Sequence, residues 1–336
     1  RAGDEGGDNA VGGGDNANAA GPARRAPPPR ARERENAAAG GDEGARMPRH
    51  VQRALWRLLV GDPARLGPEP STHEELIESL RRARVLSPDG GVAKAMALIP
   101  RGDFVPEGQQ SEAYLDCPLA IPQLGFNISA PHIHATCLEK LKLEPGHDFL
   151  DVGCGCGLVT CLGAYLVGKS GTSVGIEINS AALNVSRRNA RTFRAKSQDF
   201  AREACEVSFE KRNAFLPDPK LRLFDRINVA GSCPPSKVKN LLSMLKDEGK
   251  LIVPCGSDLQ LYTKFFSVVT MEVVSHVRFG ELVVPSDAEI VVRTLQLDKE
   301  REISRLLGES FPNAGGSGPT GMEEELGMEA GSAANA

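Results

Sequence analysis

The chain has 336 residues, of which 40% are hydrophobic, and its formal net charge is −4. This balance favours a soluble globular protein and argues against a basic surface for nucleic acid, so we expect no nucleic-acid partner. No apolar run approaches the roughly 20 residues that span a bilayer, so we expect no membrane partner either. The chain starts at Arg1 rather than Met and lacks an apolar signal core, which indicates a fragment or processed product in the cytoplasm.

Low-complexity sequence flanks the part of the chain that can fold. Residues 1–46 are mostly Gly, Ala, Pro, Asp and Arg, and residues 308–336 are largely Gly, Ser, Ala and Glu. Neither segment can bury enough apolar surface to offset the entropy lost on ordering, so both are predicted to be disordered. Between them we predict an N-terminal helical region at residues 47–110 and a larger domain at residues 111–307.

Helices dominate the first part of the folded region. Val51, Leu55, Leu58 and Leu59 share a helical face, with Trp56 beside it. The stretch Ser71-Thr-His-Glu-Glu75 is typical of a capping box and predicts a helix through about Arg84. A short helix is expected from Val92 to Leu98. Ser129 as N-cap and Pro131 in the first turn predict another helix from about Ala130 to Leu141.

Strands and helices then alternate. Strands are predicted at Phe149–Val152, Val174–Ile178, Cys205–Phe209, Phe224–Ala230 and Lys250–Pro254, and helices at 158–167, 180–195 and 238–245. The stretches 259–269 and 272–279 resemble an antiparallel hairpin at a sheet edge, whereas 288–307 stays open between strand and helix. This alternation predicts an α/β fold with a doubly wound, mostly parallel sheet.

A glycine turn follows the first of these strands. Asp151 ends the apolar run, Gly153, Gly155 and Gly157 alternate along the turn, and an apolar helix starts directly after. A dinucleotide site favours the spacing G-x-G-x-x-G, whereas here the third glycine comes one residue early. That spacing is typical of S-adenosylmethionine methyltransferases, in which an acidic residue at the next strand end, here Glu177, accepts hydrogen bonds from ribose hydroxyls. A ligand-free turn beside a surface glutamate is the alternative.

The cysteines do not predict a metal site. Cys154, Cys156 and Cys161 lack the paired C-x-x-C spacing of zinc sites, and no histidine cluster completes them. We interpret Cys154 and Cys156 as small residues of the turn and Cys161 as a packed helix residue.

The segment Gly125-Phe-Asn-Ile-Ser-Ala-Pro-His-Ile-His-Ala135 resembles the signature of protein-L-isoaspartate (D-aspartate) O-methyltransferases. The similarity continues through Leu150-Asp-Val-Gly153, Gly175-Ile-Glu177, Phe224–Ile227 and Gly249–Pro254. It implies a methyltransferase fold for residues 111–307. It also implies methyl transfer from S-adenosylmethionine to the carboxylate of isoaspartyl residues, so the expected partners are isoaspartyl-containing proteins or peptides. We expect a monomer.

The resemblance also implies roles for individual residues. Ser129 matches the catalytic serine, which would hydrogen-bond the substrate carboxylate or the methionine part of the cofactor. His134 matches a histidine on the cofactor side, and we assign His132 to local packing. The residues assigned to cofactor binding are Asn127, Ile128, His134, Asp151, Gly153, Cys154, Gly155, Gly157, Glu177, Asn213 and Ala214.

This chain departs from the family pattern at several of these positions. Phe126-Asn127 replaces Ala-Thr before the serine, and Cys154 and Cys156 replace small hydroxyl residues. Asn213 stands where the family has an acid that contacts adenine, and Ser286 is the candidate for the family's final hydroxyl. A second hypothesis follows, in which the chain is a divergent cofactor-binding adaptor with little activity. Intact Ser129, Pro131 and His134 favour the enzyme.

Overall fold

The computed structural model describes residues 69–218 and 222–307. The helix predicted around Trp56 and both low-complexity tails lie outside these residues. No helix in the described ranges combines the length and apolar character needed to cross a membrane.

A seven-stranded sheet forms the centre of the described chain. Its strands are β3 (Asp148–Val152), β4 (Thr172–Glu177), β5 (Val207–Lys211), β6 (Phe224–Val229), β7 (Leu245–Cys255), β8 (Asp258–Phe265) and β9 (Val268–His276). They lie in the order β5-β4-β3-β6-β7-β8-β9. Neighbours from β5 to β7 run parallel, whereas β8 and β9 are antiparallel additions at one side. The predicted α/β fold with a doubly wound, mostly parallel sheet is confirmed.

Helices cover the sheet, and a small two-stranded sheet of β1 (Leu119–Ile121) and β2 (Phe126–Ile128) precedes it. The first helix begins with the predicted capping box, in which Thr72 and Glu75 exchange hydrogen bonds with each other's backbone. The helices are α1 (His73–Arg82), α2 (Gly91–Leu98), α3 (Pro131–Leu141), α4 (Leu158–Val167), α5 (Ser180–Lys196), α6 (Gln198–Glu203), α7 (Val238–Leu242) and α8 (Asp287–Leu306).

Side chains of β3 alternate between two core clusters. Phe149 belongs to a cluster that also contains Leu76 of α1 and Val92 of α2, whereas Leu150 and Val152 belong to the other. The helices before residue 110 therefore share a core with the central sheet, and the boundary predicted at residue 110 runs through this cluster.

The order of the strands determines where a ligand can bind. From β3 the chain continues to β4 on one side, and β6 pairs with the other side of β3. The carboxyl ends of β3 and β6 therefore border a topological switch point, where open α/β sheets bind their ligands. The glycine turn directly follows β3.

Two local predictions between residues 238 and 279 were wrong. The helix predicted to reach Leu245 ends at Leu242, because Leu245 is fully buried and pairs with Phe224 as the first residue of β7. The hairpin turn lies at Phe266-Ser267 rather than near residue 270, with Phe266 at φ 53°.

The stretch left open at 288–307 is one continuous helix, α8. The Ser286 hydroxyl accepts a hydrogen bond from the Glu289 N–H, and the Ser286 N–H donates to the Glu289 carboxylate. This second capping box was the signal for a helix start that outweighs the β-branched run from Ile290 to Val292.

Candidate functional site

The glycine turn has a backbone that other residues seldom adopt. Gly153, Gly155 and Gly157 have φ values of 75°, 52° and 84°, in the left-handed region. A Cβ at Gly155 would lie 3.1 Å from the Phe126 ring. Gly157 is the N-cap of α4. The turn therefore brings backbone close to the segment before Ser129 and directs the start of α4.

Glu177, at the end of β4, is joined to the turn. Its Oε2 accepts a hydrogen bond from the Gly155 N–H at 3.2 Å. Its Oε1 accepts from the N–H groups of Ile178 and Asn179 at 2.8 and 2.9 Å. Glu177 as a residue is 8% exposed and lines the cavity beside the turn. Backbone donors thus orient this carboxylate before any ligand binds.

Asp151 forms the floor of the site. It is 1% exposed, and its two carboxylate oxygens accept from Thr160 Oγ1 at 2.7 Å and from Asn228 Nδ2 at 2.8 Å. Burial raises the pKa of Asp151 to about 6, although these two donors oppose the shift. The hydrogen bonds link β3 to α4 and to β6, so Asp151 holds together the elements around the switch point.

Ser129 lies just before α3 and lines the cavity. The structure corrects one prediction, because the N-cap of α3 is Ala130 and no side chain caps this helix. Pro131 occupies the first turn, as predicted. Within the described ranges the Ser129 hydroxyl makes no hydrogen bond to another side chain or to the backbone, so it is available to a ligand.

The two histidines of this segment differ in their surroundings. His132 Nδ1 lies 2.9 Å from Asp116 Oδ1, and the same oxygen accepts from the His132 N–H. Both histidines line the cavity, but His134 is the one whose pKa is lowered to about 3, by burial together with the nearby charges of Arg101 and His132. His134 is therefore a neutral imidazole at physiological pH.

Arg101 is a buried cation at the base of the Ser129 segment. Its side chain is enclosed, and its residue is 3% exposed. Its Nη2 donates to the carbonyl oxygens of Ile128 and Ser129 at 3.2 and 3.1 Å. It also donates to the carbonyl oxygens of Ala113, Leu115 and Cys117. One guanidinium therefore fixes the backbone of Ser129 relative to the preceding loop.

A strap at residues 277–283 forms the opposite wall of the cavity. Ser232 on the loop after β6 bonds it twice, since its N–H donates to the Gly280 carbonyl and its carbonyl accepts from the Leu282 N–H. Asn213 Nδ2 donates to the Val283 carbonyl at 2.8 Å, while its Oδ1 accepts from the Phe215 N–H. Asn213 thus borders the cavity and holds the strap.

These elements enclose a cavity of about 1410 Å³. Of the residues predicted from sequence, those that line it are Asn127, Ile128, Ser129, His134, Asp151, Gly153, Cys154, Gly155, Glu177, Asn213 and Ala214. Gly157 is not part of the lining. Ser286 is not either, because its hydroxyl caps α8 and donates to Glu289 Oε2 at 2.7 Å. The cavity therefore brings together residues that are far apart in the chain.

Cys154 and Cys156 line the cavity as buried, reduced thiols. Burial is the main cause that raises the pKa of both. Among the described residues, no three His, Cys, Asp or Glu side chains are grouped as metal ligands.

Sequence reasoning missed Arg101, Asp116 and the strap. The partners of Arg101 are backbone carbonyls, which leave no pattern in a sequence. Asp116 stands 16 residues before His132, with no spacing rule to connect them. The strap directly follows β9. Its position could not be predicted because the hairpin turn before β9 was predicted at the wrong residues.

Known proteins are similar to this chain in sequence and in fold. Residues 71–286 match the family model described as protein-L-isoaspartate(D-aspartate) O-methyltransferase. The chain is similar to the protein-L-isoaspartate O-methyltransferase of Triticum aestivum, with 38% identity over 196 residues that cover 56% of this chain and 81% of the relative. It is also similar to the enzyme of the same name from Methanosarcina mazei, with 33% identity over 55% of this chain and 73% of the relative.

A solved structure from Plasmodium falciparum is similar in fold. It is described as a protein-L-isoaspartate O-methyltransferase beta-aspartate methyltransferase in complex with S-adenosyl-L-homocysteine. The TM-score is 0.55 at 27% identity, and the match covers 64% of this chain and 99% of that one.

Proposed function

The chain belongs to the protein-L-isoaspartate (D-aspartate) O-methyltransferase family, and we propose that the cavity between the glycine turn and Ser129 is where it methylates its substrate. The reaction is transfer of a methyl group from S-adenosylmethionine to the carboxylate of isoaspartyl residues in proteins. Nothing among the relatives favours the alternative of an inactive adaptor.

The residues of the cavity fit S-adenosylmethionine. Gly153 and Gly155 of the glycine turn line the cavity without side chains, and the oriented Glu177 carboxylate can accept hydrogen bonds from ribose hydroxyls. The strap and Asn213 wall off the side that would face the adenine. When bound, the cofactor supplies a methyl group activated by a sulfonium centre.

The substrate side needs positioning rather than a strong base. A carboxylate with a pKa of about 4 is already ionised at neutral pH and is a competent nucleophile. We assign the Ser129 hydroxyl to holding this carboxylate in line with the methyl group. The start of α3 offers no open donor for this carboxylate, because Pro131 has no N–H and the His132 N–H donates to Asp116. The neutral His134 lines the same cavity without adding charge.

The main support for this function is that the available Ser129 hydroxyl and the Glu177 carboxylate line one cavity. The test is incubation of the full chain with labelled S-adenosylmethionine and an isoaspartyl peptide, beside its normal-aspartyl twin. We expect a base-labile methyl ester on the isoaspartyl peptide alone. Cofactor binding by calorimetry without turnover on either peptide would contradict the proposal.

Ser129→Ala tests the assignment of the hydroxyl. A hydrogen bond to a charged group contributes about 1.5–3 kcal/mol, so we expect methyl transfer to slow roughly ten- to hundredfold. Cofactor affinity should stay within a few-fold of the unchanged chain. A large loss of cofactor affinity would place the hydroxyl on the cofactor instead.

The cytoplasmic location and the absence of nucleic-acid and membrane partners stay predictions.

A further inference from the structure

The sheet ends in a strand whose outer edge is open. Strand β9 pairs with β8 on one side, and no described strand pairs with its other side. All residues from Val268 to Glu272 are exposed, and so is Val273. Val269, Met271 and Val273 are 42%, 51% and 50% exposed. An edge of this kind offers backbone donors and acceptors together with a row of apolar side chains.

This edge lacks the features that usually prevent association. Proteins protect edge strands with lysine, proline, bulges or charges that point inward. Strand β9 contains no lysine, arginine or proline, and its register shift lies beyond Val273, opposite Leu259 and Gln260. Its single acidic side chain, Glu272, is paired with Lys140 of α3 at 2.8 Å. Neither repulsion nor backbone distortion therefore closes the edge at Val269–Val273.

The edge segment Val269–Val273 is complementary to itself. Its sequence, Val-Thr-Met-Glu-Val, has matching residue types on either side of Met271. In an antiparallel pair of two such segments related by a two-fold axis at Met271, Val269 faces Val273 of the other copy. Thr270 then faces Glu272, so that its hydroxyl can donate to that carboxylate in place of its long 3.4 Å bond to the Thr263 carbonyl. Met271 faces its own counterpart.

Other symmetric registers are less favourable. A two-fold axis perpendicular to the sheet keeps each side chain on its own face, so it must pass through a residue rather than between two. An axis at Glu272 opposes two carboxylates, and an axis at Thr270 places Glu272 opposite Val268. Axes at Val269 and Val273 place Glu272 opposite Phe266 and Val274. Among axes at residues 269–273, the axis at Met271 is therefore the one that places Glu272 opposite a hydroxyl.

We propose that two copies of this chain pair antiparallel through Val269–Val273, with the two-fold axis at Met271, and so form one continuous sheet across a homodimer. This interface is isologous, as in most symmetric dimers. It differs from the monomer expected from sequence. Met271 does not line the cavity, so the proposal is independent of the site chemistry.

Cysteine cross-linking tests the register. Residues opposite each other in an antiparallel pair have Cα atoms about 4.5–5.5 Å apart, within the range of a disulfide. Met271→Cys should therefore form an intermolecular disulfide under mild oxidation. Val269→Cys, on the same face, is the matched control, because its counterpart would lie about 13 Å away along the strand. The double variant Val269→Cys with Val273→Cys should cross-link again.

The oligomeric state gives the second readout. In sedimentation over a range of concentrations the unchanged full chain should reach the mass of a dimer, and Met271→Arg, which opposes two cations at the axis, should sediment as a monomer. Met271→Leu should keep the dimer. Met271→Arg should still catalyse methyl transfer, which would show that this variant folds. A monomer at all concentrations, or equal cross-linking at positions 269 and 271, would overturn the proposal.

Discussion

Arg101 shows how one side chain can determine the geometry of a site that it does not line. Its two terminal nitrogens donate to backbone carbonyls on both sides of the chain segment that leads to Ser129. Planar, forked donors can reach several carbonyls at once, whereas a lysine offers three donors from one point. The position of Ser129 therefore depends on a cation 28 residues earlier in the chain.

Arg101→Met should disturb both stability and turnover. Removing the guanidinium leaves buried carbonyls without donors, so we expect the free energy of unfolding to fall by about 3 kcal/mol in urea denaturation. At temperatures where the variant stays folded, kcat should fall while the KM for the cofactor changes little. Arg101→Lys should recover part of the stability and less of kcat. Unchanged kcat in Arg101→Met would show that it does not position Ser129.

Asp151 makes stability depend on pH in an unusual direction. Its pKa of about 6 in the folded state lies above the 3.8 of an unperturbed Asp, mainly because of burial. As pH falls, the folded state binds this proton before the unfolded state does. Asp151 therefore adds stability as pH falls from about 6 to 4, and above pH 6 it is ionised in both states and contributes least.

Asp151→Asn should remove this contribution. Measured without cofactor, the stability of the unchanged chain relative to the variant should rise as pH falls from 7 to about 4, by at most about 3 kcal/mol. Asp225→Asn is the control with the opposite sign. Burial opposes ionisation of Asp225, but the Asp148 N–H and Lys246 outweigh it and lower its pKa. Parallel pH profiles for the two variants would contradict this account.

At the scale of elements, α4 approaches β3 so closely that a side chain would not fit between them. A Cβ at Gly163 of α4 would lie 2.2 Å from the Phe149 ring. This contact holds the helix against the strand that ends at Asp151. The close approach at Gly163 therefore helps to place the glycine turn.

Gly163→Ala should destabilise the protein although alanine favours helices. Overpacking costs about 1–3 kcal/mol, which outweighs the propensity gain of up to about 1 kcal/mol. Phe149→Leu in the same chain should relieve part of this loss, giving a non-additive double-mutant cycle in chemical denaturation. Gly91→Ala in α2, where the new Cβ would meet Leu166 at an ordinary 3.4 Å, should cost little. Additive losses at 149 and 163 would refute the contact.

Elements with strong local signals could be predicted from sequence. The glycine turn, the strands before and after it, and α4 at 158–167 were expected from residue pattern alone. The hairpin turn could not be, because the residues from Val268 to Val274 favour strands throughout. The observed turn instead uses Phe266 in the left-handed region, which phenylalanine seldom adopts.

The candidate site also contains some residues that sequence could predict and others that it could not. Asp151, Glu177 and Ser129 belong to motifs that sequence reveals, and all three line one cavity. Arg101 and the strap act through backbone atoms and through a register fixed by tertiary packing. Those contacts become visible only once the chain is folded.

At the scale of the whole molecule, the cysteines report on unfolding. All eight are reduced, and seven are buried, leaving Cys117 partly exposed. Burial is the main cause that raises the pKa of Cys137 to about 12 and of Cys205 to about 11. Buried thiols with raised pKa values are poor nucleophiles.

A thiol reagent at neutral pH should therefore label Cys117 first. The other seven cysteines should react at the rate of unfolding, in step with one another and faster as urea is added. Peptide mass spectrometry after timed labelling measures both phases, and Cys117→Ser should abolish the fast one. Rapid labelling of Cys154 in the native protein would show instead that the glycine turn opens locally.

The strap at residues 277–283 is the last part of the cavity wall to be synthesised. Ser129, the glycine turn and Glu177 leave the ribosome well before residues 277–283, which form the opposite wall. Domains fold as units while the chain emerges from its N-terminus. A nascent chain that has passed Glu177 carries the residues proposed to contact the ribose and methionine parts of the cofactor, yet it lacks Asn213 and the wall that would retain the cofactor. Retention of the cofactor thus marks a chain translated at least as far as Val283.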